Sequence, residues 1–170
     1  MAIRNIVCYP DPLLRKKCEE ITAIDDEIKR LGEDMLDTMY EKKGIGLAAP
    51  QVGVIKRLIT VDISGPEKRE NPFVMVNPEI VEKKGETEGE EGCLSLPGFK
   101  GKVKRAAAVK VRYLDLDGEE HLVDADELFA ICLQHEIDHL DGKLIIDYAG
   151  RLKKKMYENK LKKLQKHRAR

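Results

Sequence analysis

The segment Gln134 to Gly142 contains the pattern H-E-x-x-H, with His135 and His139 four positions apart and Glu136 between them. Residues four apart on a helix lie on one face, with Cβ atoms about 5–6 Å apart, so both imidazoles can reach one metal ion. Glu136 lies about 100° round the helix from His135, close to the ion but not aimed at it. A carboxylate there can take a proton from water and pass it to a leaving amine. The pattern therefore indicates metal-dependent hydrolysis.

The alternative interpretation of this segment is a buried helix with two incidental histidines. The surrounding residues are apolar, so two imidazoles and a carboxylate within one turn would be costly to bury without a role. The chain has only four histidines, and two of them are here. Both observations favour the metal site.

A catalytic metal site needs a third protein ligand and one open coordination position. Four candidates follow the motif, and none is convincing: Asp141, Asp147, Glu158 and His167. Asp141 is too close along the helix to converge on the same ion, and Glu158 and His167 lie in a basic helix. Cys132 lies on the motif helix, but about 10.5 Å of helix rise separates it from His139, which favours a core position. Cys8 and Cys18 have no polar neighbours of the ligand type.

Cys93 is the remaining thiol, and it lies in the glycine- and proline-flanked stretch Glu91 to Gly98. Gly92 lets the backbone approach a neighbour closely. A thiolate at this position would complete a Cys-His-His set with one open site. Such a ligand set suits zinc or iron better than magnesium or calcium.

Composition and charge limit the number of domains, the compartment and the partners that the chain can have. The 170 residues suit one domain, residues 1–170, and no apolar run approaches the length of a membrane span or a signal peptide. The four cysteines are irregularly spaced, which favours a reducing cytoplasm over a disulfide framework. The net charge is zero, yet residues 151–170 carry ten basic residues and one acid, so this tail predicts a polyanionic partner.

Helices are expected near both ends of the chain. Asp11-Pro12 opens a short one, and Asp25 or Asp26 caps a longer one that Gly44 ends. The motif helix is apolar nearly all round, which predicts burial, and it starts near Asp124 with a capping-box pattern and ends at Gly142. A last helix covers about residues 149–166, with one apolar side formed by Leu152, Met156, Leu161 and Leu164.

Strands are expected between these helices. The predicted strands are residues 57–63, 73–76, 80–81, 102–116 and 119–123, the last two forming a hairpin. Asn77-Pro78 is expected to form a turn or bulge, and residues 44–51 a glycine-punctuated loop. The order of elements predicts an α+β fold, with antiparallel strands packed around a buried motif helix, helices at the N-terminus and a helix at the C-terminus.

Three segments together resemble the signature motifs of the peptide deformylases, in the order found in that family. They are Gly44-Ile-Gly-Leu-Ala-Ala-Pro-Gln51, Glu91-Gly-Cys-Leu-Ser95 and Gln134-His-Glu-Ile-Asp-His-Leu-Asp-Gly142. The resemblance covers essentially the whole chain, and the long C-terminal helix resembles the bacterial form typical of Gram-negative organisms. It implies a hydrolase that removes the N-formyl group from the formyl-methionine of new polypeptides and releases formate.

The resemblance also implies residue roles. Cys93, His135 and His139 match the metal ligands, and Glu136 matches the general base and acid. Gln51 and the backbone N–H of Leu94 match the groups that stabilise the oxyanion. Five further positions match those that shape the substrate groove and the methionine pocket: Ile45, Gly46, Glu91, Leu128 and Ile131. Leu128 and Ile131 also precede His135 by seven and four residues, so they share its helix face.

The implied cofactor is one divalent ion, with Fe(II) native and Zn(II), Ni(II) or Co(II) as substitutes. The implied partners are formyl-methionyl nascent peptides and, through the basic C-terminal helix, the ribosome. Two other classes compete with this interpretation. A zinc endopeptidase is disfavoured by the missing downstream ligand. A ribosome- or RNA-binding module with a structural metal is disfavoured because only three ligands are found where such sites use four.

Overall fold

A computed structural model describes residues 2–168 of the chain, so Met1, Ala169 and Arg170, the last two being part of the basic tail, lie outside the description. Within it the α-helices are α1 (Asp26–Glu41), α2 (Gly65–Lys68), α3 (Glu127–Leu140) and α4 (Arg151–Arg168). The strands are β1 (Gly46–Ala48), β2 (Leu58–Val61), β3 (Phe73–Lys84), β4 (Thr87–Cys93), β5 (Leu96–Arg105), β6 (Ala108–Leu114) and β7 (Glu120–Asp126). Short 3₁₀ helices cover Pro12–Arg15, Ala49–Val52 and Ile145–Tyr148.

The strands form two antiparallel sheets. The larger has the order β1-β2-β3-β6-β7, and β4 and β5 form a separate two-stranded sheet. Strand β2 is buried on both faces because Leu58 packs with α1 on one side, whereas Ile59 and Val61 pack with α3 on the other. Helices and antiparallel strands are thus packed around α3, which confirms the predicted α+β class.

The motif helix α3 is held at its C-terminal end by a glycine. Gly142 has a φ of 75° and donates to the carbonyl of His139, while Lys143 donates to that of Asp138. These two bonds form the Schellman motif that closes helix ends. Glycine is required at position 142 because the φ is positive and because a Cβ there would collide with the backbone carbonyl of Arg15. The predicted end of this helix is confirmed.

The predicted start and burial of α3 need correction. Asp124 lies in β7, and the helix begins at Glu127 with Asp126 as its N-cap and no side-chain capping bond. Leu128 is 49% exposed, so α3 is not buried all round. Its sheet-facing side is closed by residues such as Leu133 and Ile137, and its other side borders a cavity.

The strand predictions were incomplete. Residues 73–84 form one continuous strand, in which Asn77, with a φ of 51°, lies at a register shift, so of the turn or bulge expected at Asn77-Pro78 the structure has the bulge-like irregularity. Residues 102–116 belong to two strands, β5 and β6, and β4 was not predicted. Residues 46–52 form β1 and a 3₁₀ helix rather than a loop, and α1 ends at Glu41, three residues before Gly44.

The C-terminal helix α4 is attached differently from the prediction. Tyr157 is 6% exposed and, with Leu161, packs on the cluster around Phe99 and Ile146. The Tyr157 hydroxyl donates to the carbonyl of Pro97 at 2.9 Å. Three of the four expected contact residues are instead exposed: Leu152, Met156 and Leu164. A buried tyrosine, not the leucine and methionine stripe, therefore fixes α4.

No α-helix within residues 2–168 combines the length and apolar character needed to cross a membrane.

Candidate metal centre

Three ligand-type side chains from two layers of the fold meet at one point. Cys93 ends β4, while His135 and His139 project from α3, and their ligand atoms all lie within 4.8 Å of one another. The Cys93 Sγ to His139 Nε2 distance is 3.4 Å. Two such atoms on one tetrahedral zinc or iron ion would be about 3.5 Å apart. The donor set and its spacing therefore fit one divalent transition-metal ion.

His135 is oriented by an ion-pair network behind it. Its Nδ1 lies 3.0 Å from Glu91 Oε1, which leaves Nε2 for the metal side. Arg105 donates to both oxygens of Glu91, at 2.9 and 3.0 Å, and to Asp138 at 2.6 Å. Tyr148 also donates to Asp138, at 2.7 Å. These groups fix the imidazole through the carboxylate of Glu91.

Burial sets the protonation of the remaining two motif residues. Burial lowers the pKa of His139 well below its ordinary value, which keeps the imidazole neutral, as a metal ligand must be. Burial also raises the pKa of Glu136 to about 7. Within the described residues, Glu136 Oε1 and His139 Nδ1 are buried without a hydrogen-bond partner. A buried carboxylate with one unpaired oxygen and a pKa near neutrality is suited to move protons.

Gln51 presents its amide N–H₂ to the cysteine. Its carbonyl oxygen accepts from the backbone N–H of Ala48 at 2.9 Å, which fixes the orientation of the amide. Its Nε2 then donates to Ser95 Oγ at 3.0 Å and lies 3.6 Å from Cys93 Sγ. Leu94 lies in the turn between β4 and β5, next to the cysteine. Both Gln51 and Leu94 therefore border the same cavity as Cys93 and His135.

A cavity of about 600 Å³ opens over this site. It is lined by all five predicted pocket residues: Ile45, Gly46, Glu91, Leu128 and Ile131. A Cβ on Gly46 would meet the Glu136 carboxylate and, at 2.7 Å, Cys132 Sγ, so only glycine fits against Glu136. Glu91 lines the wall with its two oxygens already bonded to Arg105 and His135.

The other thiols lie outside the ligand set. Cys132 lies on α3, buried against the segment that begins β1, and donates to the carbonyl of Ile45 at 3.7 Å. Burial raises the pKa of its thiol well above the ordinary value. Cys18 is buried in the core cluster between α3 and the sheet. No disulfide links the four cysteines, all of which the structure describes.

Arg105, Ser95 and Tyr148 were not identified as site residues from the sequence. Arg105 is one of many basic residues on β5, and the only available signal is that strand alternation makes its position inward-facing, after Phe99, Gly101 and Val103. Nothing in the spacing connects it to Glu91 or to α3.

A second group of possible ligands occurs on the β6–β7 turn, formed by Asp115, Glu119 and His121. One Asp115 oxygen accepts the backbone N–H groups of Asp117 and Glu119, and the other lies 2.6 Å from His121 Nε2. Asp115 is thus already used in closing the turn. The geometry of this cluster therefore does not indicate a second metal site.

Known proteins resemble the chain over nearly its full length. The family model described as polypeptide deformylase matches residues 3–155. The peptide deformylase of Nitrosococcus oceani is 50% identical over 165 residues, covering 97% of this chain and 98% of that protein. That of Alkalilimnicola ehrlichii is 49% identical over 164 residues, covering 96% and 92%.

Solved structures agree with these relatives. The crystal structure of a peptide deformylase from Legionella pneumophila has a TM-score of 0.92 at 46% identity and covers 99% of each chain. That of Ehrlichia chaffeensis peptide deformylase in complex with actinonin has a TM-score of 0.90 at 38% identity, covering 96% of this chain and 98% of the other.

The fold and the Cys-His-His site with its buried glutamate define a metal-dependent hydrolase of the H-E-x-x-H type. The family model matches residues 3–155, and the alignment with the Nitrosococcus oceani protein covers 97% of the chain. The chain belongs to the polypeptide deformylase family, whose members remove the N-formyl group from newly synthesised peptides.

Proposed function

We propose that Cys93, His135 and His139 hold one divalent ion, and that Glu136 is the general base and acid of the deformylation. The convergence of the three ligand atoms within 4.8 Å, beside a buried carboxylate, is the observation that carries this proposal. The bound ion supplies Lewis-acid polarisation of the formyl group and makes a water more acidic. Glu136 takes a proton from a water as the water oxygen bonds to the formyl carbon. Glu136 then delivers that proton to the amine nitrogen as the C–N bond breaks, so formate and a free N-terminus result.

Gln51 and the backbone N–H of Leu94 stabilise the negative charge that develops on the formyl oxygen. The fixed amide of Gln51, with its N–H₂ side next to Cys93, supports this role. A donor held in place before the reaction needs no reorganisation, and one such donor contributes about 3–4 kcal/mol to transition-state stabilisation. Gln51 supplies it without adding a charge to the site.

The methionine side chain occupies the apolar part of the cavity beside α3. Leu128 and Ile131 line it from the helix, and Ile45 and Gly46 line it from β1 and the residue before it. Glu91 borders the same space, but its bonds to Arg105 and His135 support a positioning role for its carboxylate, so its backbone and stem face the substrate. Because both sheets and α3 contribute to one site, residues 1–170 act as one catalytic domain.

Fe(II) is the proposed native metal, with Zn(II), Ni(II) or Co(II) able to replace it. The single thiolate and two imidazoles support a soft or borderline transition metal. A thiolate beside an oxidisable iron is sensitive to air, so anaerobically purified protein should lose activity on exposure to oxygen and keep it after Ni(II) loading. An aerobic preparation that contains only zinc and stays fully active for days would contradict iron.

Release of formate from formyl-Met-Ala-Ser, measured together with metal content, tests the proposed reaction. We expect about one metal ion per chain, rapid formate release and no cleavage of internal peptide bonds. Internal cleavage would support an endopeptidase instead. A tightly bound metal with neither activity would support a binding module.

We further propose that α4 docks on the ribosome. Its exposed face combines lysines, including Lys155, Lys162 and Lys163, with the exposed apolar side chains of Leu152 and Met156. Lysines gain from counterion release on ribosomal RNA, and the apolar side chains can be covered by protein. The cytoplasm is the proposed location, because the irregular spacing of the cysteines does not indicate a disulfide framework.

Surface substitutions test docking better than truncation, because a cut after Lys155 would also remove the buried Tyr157. Changing Lys155, Lys162 and Lys163 to Gln should weaken ribosome co-sedimentation, most strongly at low salt, and leave dipeptide deformylation unchanged. The matched control changes three exposed basic residues on and beside α1 to Gln: Lys29, Arg30 and Lys42. Equal co-sedimentation of both variants would contradict docking through α4.

A further inference from the structure

Two lysines stand at the mouth of the active-site cavity. Lys43 follows α1 on one side of the opening, and Lys100 lies on β5 on the other, and both line the cavity with exposed side chains. The two sides are close, because a Cβ on Gly44 would lie 3.2 Å from Leu94 Cδ1. Among residues 2–168 neither lysine forms an ion pair.

In the pairing of β4 with β5, Lys100 is the lysine that has no acidic residue opposite it. Lys104 is opposite Glu88 and Lys102 is opposite Glu90, whereas Lys100 is opposite Gly92. Its side chain instead folds over that glycine, with Cε 3.6 Å from the position of an added Cβ. The ammonium charge therefore lies over the strand that leads to Cys93, next to the cavity.

Two lysines of α4 add to the positive charge around the same hairpin end. Lys153 Nζ lies 5.4 Å from the ring centroid of Phe99, and Lys160 Nζ lies 3.7 Å from the position of a Cβ on Gly98. Both Gly98 and Phe99 line the cavity.

Acidic groups at the cavity do not cancel this charge. Glu91 is paired with Arg105, and Glu136 lies buried at the metal site. Glu90 is the remaining acid on the wall, and Lys102 stands opposite it. Four lysines, Lys43, Lys100, Lys153 and Lys160, therefore surround this end of the cavity against one exposed carboxylate, that of Glu90, so positive charge is in excess beyond the methionine pocket.

We propose that Lys43 and Lys100 make this enzyme prefer formylated peptides with an acidic side chain at the second or third residue. The inference rests on the proposed function, because the formyl-methionine must occupy the metal end for the following residues to leave between the two lysines. The carboxylate gains from two exposed ammonium groups that lack partners of their own, an interaction that salt weakens.

The test compares kcat/KM for the amidated peptides formyl-Met-Glu-Ser-NH₂ and formyl-Met-Gln-Ser-NH₂, and the same pair with Glu or Gln at position three. Amidation removes the terminal carboxylate, so only the side chain can contribute. We expect a Glu-to-Gln ratio of about three to ten at low salt in at least one position, falling below two at 0.5 M salt. Lys43→Gln and Lys100→Gln should each reduce the ratio, and the double variant should bring it to one or below.

Lys104→Gln is the matched control, since it removes one charge from the same face of β5 but outside this cavity, and it should keep the wild-type ratio. Hydrolysis of the Gln peptides establishes deformylation independently of the charge preference. If the active wild-type enzyme gives a Glu-to-Gln ratio of one, or if the double variant keeps the wild-type ratio, the charge preference is wrong but the proposed function stands. Failure to hydrolyse either peptide would overturn the proposed function and the inference with it.

Discussion

Glu136 combines burial, contact with the Gly46 backbone and a carboxylate oxygen without a partner. We expect Glu136→Gln to keep the metal and to reduce kcat by about 10²–10⁴-fold, because the amide has nearly the same shape but cannot accept the proton. Steady-state formate release and metal analysis on the same sample check this. A Gln variant with near wild-type kcat would remove Glu136 from the proton-transfer step.

The two cysteines near α3 should behave differently when replaced by serine. Cys93→Ser should bind the metal more weakly, because Cys93 Sγ lies among the two histidine nitrogens. Cys132→Ser should retain one metal ion per chain, since its buried thiol bonds to the carbonyl of Ile45 and lies outside the ligand group. Metal competition with a chelator measures both affinities. Metal loss in the Cys132 variant, with a normal Cys93 variant, would reverse the assignment.

At the scale of single residues, the sequence predicted the groups that carry recognisable motifs and missed those that support them. H-E-x-x-H has a fixed spacing because one helix turn imposes it, so His135 and His139 could be paired without coordinates. Arg105 reaches Glu91 and Asp138 only after β4, β5 and α3 have assembled. That contact depends on tertiary packing, which local periodicity does not encode.

At the scale of elements, β4 is the strand that the hydrophobic pattern of the sequence did not predict. Its sequence, Thr-Glu-Gly-Glu-Glu-Gly-Cys, has two glycines, three glutamates and no β-branched aliphatic residue. Its strand conformation comes from pairing with β5, where Glu88 and Glu90 stand opposite lysines, rather than from burial of an apolar face. By contrast, the β-branched run in β2 and the strong N-cap of α1 by Asp25 are local signals, and both elements were predicted.

The attachment of α4 through Tyr157 leads to a prediction about stability. Tyr157→Ala should lower the free energy of unfolding by about 3–5 kcal/mol, because it empties the space between Tyr9 and Phe99. Tyr157→Phe should cost only about 0.5–1.5 kcal/mol, through loss of the bond to Pro97. Urea denaturation measures both values. Leu152→Ala, at an exposed position on the same helix, should change stability by less than about 0.5 kcal/mol.

At the scale of the whole molecule, Asp34 ties the start of the chain to α1. It accepts from the Ala2 N–H at 2.9 Å and from Arg4 at 3.0 Å. Burial acts to raise the pKa of Asp34, but these donors outweigh it and the pKa is lowered. A lowered pKa means that the stabilisation is complete above about pH 4, the unfolded value, and is lost as pH falls through the folded value.

Asp34→Asn should therefore be less stable than the wild type by about 1–3 kcal/mol at pH 7, with a difference that shrinks below pH 4. Urea denaturation of both proteins at several pH values gives this difference directly, since other titrating groups cancel. A difference that is constant from pH 7 to pH 3.5 would mean that the charge of Asp34 does not stabilise the fold.

The proposed metal ligands come from separate layers, Cys93 from the two-stranded sheet and His139, 46 residues later, from α3. An ion held between them would join the β4–β5 hairpin to α3, and so would stabilise the fold in addition to its part in the reaction. The free energy needed to open a segment locally depends on the contacts that hold it, including a bound ion. After chelation, amide hydrogen exchange should therefore accelerate in residues 87–105 while β2, buried between two helices, remains protected.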